Sequence, residues 1–322
     1  MTEDALGSLA RRYRLLERLG QGAMGTVWHA ERIADGHRVA LKLLKRELVG
    51  DQKSLHRFKR EARLSSKLQH PNVVATLDAG VDEGTGQPWM ALELVPGPTL
   101  AAWVQEQGAP PRHAAGALLR DVFGAVRRAH ELAIVHRDLK PENVLLELGD
   151  GSVPRAKVSD FGIAKGLQEK SWASTEAGLG TPLWTAPEQG RDGFVPSPRV
   201  DVWALGLIAY FVLTGKQYWR HASGRSSVVD LVLELERASL VAPSERAREA
   251  GLGERIPPGF DAWFARAVNR RAEERFADAG ESWRALAPIL GVAERGSSAR
   301  RLAWMGVALV LLLLGVLVVV LR

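Results

Sequence analysis

The sequence predicts an α+β fold of two lobes, a small β-rich lobe over 13–95 and a large helical lobe over 98–290, with a linker at 291–301 and a transmembrane helix at 302–321. Three observations carry this. Strand-forming runs punctuated by glycine fill the first part, helical patterning takes over after Val95, Pro96 and Gly97, and 302–321 is a run of twenty residues without a charge. Such a run spans about 30 Å as a helix, enough to cross a bilayer.

Composition narrows the function classes. A chain of 322 residues buries a substantial core as one large or two moderate domains. The net charge of +6 comes with no Lys/Arg block and no basic stripe interleaved with aromatics, so nucleic acid is not an expected partner. Spread arginines fit attraction to anionic lipid instead. The absence of cysteine excludes disulfides and cysteine-ligated metals, and fits a cytosolic domain. Residues 1–10 carry Glu3 and Asp4 and no apolar core, so no signal peptide is read there. The eight histidines show no metal-binding spacing, and no 20 to 50 residue repeat is present.

Taken in order, 14–30 contains Gly20, Gly22 and Gly25. Dinucleotide-binding folds place a helix after such glycines, but Thr26, Val27 and Trp28 are strand formers, so a β-hairpin is expected. Val39, Ala40, Leu41 and Lys42 form an apolar strand with one cation. Residues 53–68 read as a helix with Leu55, Phe58, Ala62 and Leu68 inward and Glu61 at the margin of that stripe. His70, Pro71 and Asn72 break it. A strand at 89–94 then leads into the hinge. Residues 112–132 read as a helix, and 200–213, too short to span a membrane and too apolar for a surface, as the buried central helix. Residues 228–237 and 261–267 are amphipathic helices.

The chemistry concentrates in His136, Arg137, Asp138, Leu139, Lys140, Pro141, Glu142 and Asn143, completed by Asp160, Phe161 and Gly162. Between them, apolar runs at 144–148 and 156–159 flank Gly149, Asp150 and Gly151, the pattern of a hairpin. That hairpin brings Asn143 beside Asp160. An amide oxygen next to a carboxylate suits Mg²⁺ carrying phosphates. Asp138 is placed to accept a proton from an incoming hydroxyl. His136 reads as a packing and backbone-anchoring residue.

The octet and the Asp-Phe-Gly triplet resemble the catalytic loop and D-F-G segment of the protein kinases, and the chain as a whole resembles the membrane-anchored bacterial (Hanks-type) serine/threonine kinases over 13–290. The resemblance implies a bilobal protein-kinase fold that transfers the γ-phosphoryl of ATP to protein Ser/Thr hydroxyls, with Mg²⁺ as metal. Leu19, Gly20, Gly22, Gly25 and Val27 would form the nucleotide loop, and Lys42 would pair the phosphates with Glu61 orienting it. Backbone groups of Glu93 and Val95 would hold the adenine edge, between Leu19, Val27 and Ala40 above and Leu145 below. Asn143 and Asp160 would hold the metal, Asp138 would orient the hydroxyl and Lys140 would reach the transferring group. Lys140 and Thr181 follow the serine/threonine pattern. Asp201 would either bind catalytic-loop amides or cap its own helix, and Arg275 would pair with Glu188.

Residues 163–185 carry Ser171, Ser174, Thr175 and Thr181. Thr175 is the first expected phosphosite, with Ser174 and Thr181 also regulatory candidates, and Arg137 is the expected partner of an added phosphate. Ser65, four residues after Glu61, departs from the resemblance, where a bulky apolar side chain packs toward Phe161; a thin contact there would let the helix swing outward without ligand. Arg295, Arg300 and Arg301 precede the apolar run and only Arg322 follows, which puts the catalytic side in the cytoplasm. Expected partners are ATP, protein substrates, membrane lipid and a second kinase domain in a homodimer. The alternative reading is a nucleotide-binding, pseudokinase-like scaffold at the membrane.

Overall fold

The computed structural model describes residues 7–22, 25–45, 52–149, 153–161, 182–222 and 228–293. The expected phosphosites Ser174, Thr175 and Thr181, and the expected membrane helix at 302–321, lie outside the described residues. Among the described residues no helix is long and apolar enough to cross a membrane.

Strands β1 (Tyr13–Gly22), β2 (Gly25–Arg32), β3 (Arg38–Leu44), β4 (Thr76–Val81) and β5 (Pro88–Glu93) form one antiparallel sheet in the order β1-β2-β3-β5-β4. Alternation along β3 decides its two faces. Val39, Leu41 and Leu43 turn to one side and are buried with Leu9, Tyr13, Ala30, Trp89 and Ala91. A 3-10 turn at Gly7–Arg11 covers that face, held by Asp82, which accepts from the Ser8 hydroxyl and from the Leu9 amide at 2.9 Å. Ala40 and Lys42 turn to the other side, and Val27, the cross-strand partner of Lys42, shares their face.

Helix α1 (Gln52–Ser66) is the helix expected at 53–68, and it buries Phe58 and Ala62 as the spacing implies. Phe58 packs with Leu44 and Met90 beneath it. Gly25 has a requirement of its own in this sheet. Its φ is 154°, and a Cβ there would stand 2.0 Å from the Leu43 carbonyl oxygen, so the β2–β3 approach admits no side chain.

The large lobe contains α2 (Leu100–Gln107), α3 (Arg112–Glu131), the hairpin β6 (Val144–Glu147) and β7 (Arg155–Val158), α4 (Pro198–Thr214), α5 (Val228–Arg237), α6 (Pro243–Glu249), α7 (Phe260–Ala267) and α8 (Ala279–Ile289). Every residue of α4 from Val200 to Thr214 is buried, which makes it the axis of the lobe and accounts for its lack of a polar face. It starts with Pro198 in its first turn and stops at Gly215, whose left-handed φ of 70° lets its amide return to Phe211 at 2.7 Å.

The β6/β7 hairpin joins the lobes. Val158 exchanges main-chain hydrogen bonds with the loop before β4, donating to Asn72 and accepting from Val74, while Leu146 donates to Pro98 at 2.9 Å. Gly97 makes the hinge approach feasible, because a Cβ there would fall 1.9 Å from the Leu146 carbonyl oxygen.

Candidate active site

The hairpin sets the site because its two ends meet. Ser159 donates through its amide (2.8 Å) and its hydroxyl (3.1 Å) to the Asn143 carbonyl, so Asn143 and Asp160 stand side by side as their spacing implied. Asn143 is buried, and its amide nitrogen donates to the Asp138 carbonyl at 2.7 Å, which leaves its side-chain oxygen, not its nitrogen, able to face a cation. Lys140 Nζ lies 3.0 Å from Asp138 Oδ2. From the other lobe, Lys42 Nζ reaches Asp160 Oδ1 at 2.6 Å. Two acidic groups, one amide oxygen and two ammonium groups thus converge where the lobes meet.

Two site residues hold left-handed backbone although neither is glycine: Arg137 at φ 64° and Asp160 at φ 59°. Such conformations cost about 1–3 kcal/mol each and persist only where neighbours fix them. Around Arg137 the fixing group is Asp201, which accepts the amides of His136 (2.8 Å) and Arg137 (2.9 Å). Asp201 therefore anchors the loop, and the start of α4 is capped at Ser197 without a side-chain hydrogen bond. His136 is fully buried, receives the Asp138 amide on Nδ1 (3.3 Å), donates from Nε2 to the Ser159 carbonyl (2.8 Å) and packs its ring 4.7 Å from that of Phe161. It is a backbone anchor.

The donor set fits a metal-bound triphosphate. A carboxylate and an amide oxygen are hard ligands of the kind Mg²⁺ takes, and Lys42 adds a cation for phosphate oxygens. Gly20 and Gly22 lie at the end of β1, where a Cβ built on either meets nothing within 4 Å among the described residues. Leu19 is half-exposed beside Gly20, and Leu145 sits on β6, bridged to Thr99 just past the hinge. At the hinge, Glu93 donates its amide to Ala75 (2.9 Å), while its carboxylate accepts from the Ala75 amide (3.2 Å) and from Lys157; Val95 is buried. Glu61 lies on α1, but its side chain is outside the described residues.

Residues 13–262 match the family model for the protein kinase domain. The chain belongs to the protein kinase family. This kinase is 36% identical over 299 residues to the serine/threonine-protein kinase PknL of Mycobacterium tuberculosis (strain ATCC 25618 / H37Rv), an alignment that spans 91% of this chain and 70% of that protein. It is 42% identical over 213 residues to the serine/threonine-protein kinase Pkn1 of Myxococcus xanthus, covering 63% of this chain and 29% of that one. The solved kinase domain of M. tuberculosis PknI superposes with a TM-score of 0.64 at 26% identity, covering 86% of this chain and 96% of the other. Rad53 1-466 in complex with AMP-PNP superposes with a TM-score of 0.66 at 25% identity over 87% and 65% of the two chains. The protein is an ATP-dependent serine/threonine protein kinase, a phosphotransferase.

Several residues that support the site left no mark in the kinase sequence. Gln189 accepts from the Ala186 amide (3.1 Å) and donates to the Arg137 carbonyl (2.9 Å), tying the 186–190 segment to the catalytic loop. His130 of α3 accepts the Ala279 amide on Nδ1 (3.2 Å), which leaves its Nε2–H to donate to Asp201 (2.8 Å). Arg275 and Glu188 do pair, through two bonds of 2.6 and 2.8 Å, with the guanidinium also on the Asn269 and Arg199 carbonyls and over the Trp203 ring. For Gln189 and His130 a signal existed only as polar residues near known motifs.

Proposed function

We propose that this kinase is a membrane-anchored signalling enzyme in which Lys42, Asp138, Lys140, Asn143 and Asp160 carry phosphoryl transfer. The observation that supports this reading most is the meeting of Lys42 with Asp160 across the lobes, beside the Asn143–Asp138 pair. Lys42 holds the α and β phosphates of ATP, and Glu61 orients it. The turn containing Gly20, Gly22 and Gly25 covers the phosphates. The Glu93 carbonyl and Val95 amide meet the adenine edge, with Leu19, Val27 and Ala40 on one side of the ring and Leu145 on the other.

Asn143 and Asp160 would hold Mg²⁺, which would supply positive charge to offset that of the phosphates. Asp138 accepts or orients the proton of the substrate hydroxyl, and Lys140, next to the same carboxylate, offsets charge on the transferring group. The 181–188 segment takes the protein substrate. The transition state is loose and charge-rich, so positioning these groups is most of what the protein contributes.

Regulation follows from the same site. Phosphate on Thr175, or on Ser174 or Thr181, would meet Arg137 beside the catalytic aspartate, and a homodimer of kinase domains would bring one copy's segment to the other's site. The uncharged run 302–321 is the anchor, and the arginines at 295, 300 and 301 keep the kinase domain on the cytoplasmic side next to anionic lipid.

Incubation with labelled ATP and Mg²⁺ followed by phosphoamino-acid analysis tests the reaction: phosphoserine and phosphothreonine are expected, and phosphotyrosine alone or no label overturns it. Protease treatment of sealed vesicles tests the topology, with a C-terminal tag protected and the kinase domain digested from outside in cytoplasmic-side-out vesicles. A tag removed together with the domain would refute it.

A further inference from the structure

The segment proposed above to take protein substrates is held at its far end by Arg275 on Glu188. At its near end the holding group is an indole. Trp219, in the connection after α4, donates from Nε1 to the Leu183 carbonyl at 3.0 Å, within the 3-10 turn Pro182–Trp184. Both Trp219 and Leu183 are buried. Trp219 also stacks on Trp203 of α4, with centroids 5.9 Å apart and planes at 20°, and meets Tyr218 edge-on at 4.8 Å.

Trp203 has the Arg275 guanidinium over its ring at 5.0 Å. The two anchors therefore share one base: Leu183 to Trp219, Trp219 to Trp203, Trp203 to Arg275, Arg275 to Glu188. A loop of contacts closes around the docking segment, with the buried axis α4 as its fixed side. Trp184, next to Leu183, sets its ring edge-on against Phe211 of the same helix at 5.7 Å, so its side chain faces the core. The Leu183 carbonyl is held by the Trp219 N–H.

We propose that Trp219 is a positioning residue for the protein substrate, acting through the Leu183 carbonyl and not on ATP. The inference rests on the reading of 181–188 as the docking segment. Among the described residues, the hydrogen bond and ring contacts of Trp219 run to Leu183, Trp203 and Tyr218 and to none of the groups proposed to bind nucleotide. A buried carbonyl stripped of its donor turns toward water or strains its neighbours, and either displaces the segment.

The substitution Trp219→Phe keeps an aromatic ring against Trp203 and removes the N–H together with the rest of the five-membered ring, a smaller loss of packing than Trp219→Leu. It is expected to raise KM for a protein acceptor about tenfold, the order set by one stranded buried carbonyl, with kcat and KM for ATP within about twofold of the parent. Hydrogen exchange at 183–190 is expected to quicken in the same variant. Trp219→Leu, which removes the ring as well, supplies the comparison: if the Phe variant behaves as the parent while the Leu variant alone is impaired, the indole acts by packing and the proposal fails. Unchanged exchange at 183–190 in the Phe variant also overturns the positioning role. Faster exchange with an unchanged acceptor KM overturns instead the reading of this segment as the docking surface.

Discussion

The Asp201 carboxylate accepts the main-chain amide of Arg137 at 2.9 Å, at a residue whose φ of 64° turns the catalytic loop through the left-handed region. Its other oxygen accepts the His136 amide and the His130 Nε2–H, both at 2.8 Å. Three donors from two elements thus converge on one buried anion.

Asn at this position can accept on one oxygen only and turns an NH₂ toward donors. Asp201→Asn is therefore expected to lower stability by about 1–3 kcal/mol and kcat by at least tenfold, because the loop carrying Asp138 loses its tether. Denaturant unfolding and steady-state kinetics check this. A variant with parental kcat would show that the loop holds its turn without Asp201.

Arg275 and Glu188 form a bidentate pair in which the arginine side chain is fully buried. Removing one partner strands the other: Arg275→Met or Glu188→Gln should each cost about 3–5 kcal/mol. The double variant should cost less than the sum, since no uncompensated charge remains. Thermal unfolding of the four proteins as a cycle measures the coupling, and strict additivity would contradict it.

What could be read from the sequence and what could not divide along physical lines. Asp138, Asn143 and Asp160 were legible because a hairpin between them makes their proximity a local matter. The α1 stripe of Phe58 and Ala62 and the all-apolar α4 were legible because burial imposes a period or abolishes one. The Arg275–Glu188 pair was legible only through the resemblance, the partners being 87 positions apart. Trp219 on Leu183 and His130 on Ala279 join residues 36 and 149 positions apart and follow no repeat, so nothing local announces them. Gly25 was expected to serve phosphate approach, and the structure adds the crowding of β2 against Leu43.

Ser65 had been expected to leave a thin contact between α1 and Phe161. The structure adds a polar one: the Ser65 and Thr76 hydroxyls lie 3.0 Å apart, linking α1 to β4. One neutral hydrogen bond is worth about 0.5–1.5 kcal/mol. Ser65→Ala should therefore speed amide exchange in α1 by about two- to tenfold without nucleotide, and ATP with Mg²⁺ should slow exchange in both proteins. Equal exchange in α1 with and without nucleotide would count against a helix whose position is set by ligand.

Asp82 is held down to a pKa of about 2. Burial alone would raise it, but the Ser8 and Thr85 hydroxyls and the Thr85 and Leu9 amides donate to the carboxylate and reverse the sign. A group depressed in the folded state stabilises above its unfolded pKa of about 3.9 and loses that contribution as pH falls toward 2. Asp82→Asn should be less stable than the parent at pH 7, with the difference shrinking below pH 4. Melting curves over pH 2–7 test this; a difference that grows on acidification would contradict it.

If Asp138 serves transfer while Lys42, Asn143 and Asp160 serve binding of the metal-bound triphosphate, single-turnover transfer by Asp138→Asn measured beside its calorimetric affinity for ATP with and without Mg²⁺ separates the two roles. Mg²⁺-dependent binding is expected within about twofold of the parent and transfer slower by about 10²-fold or more. Parental transfer rates in that variant would contradict this assignment.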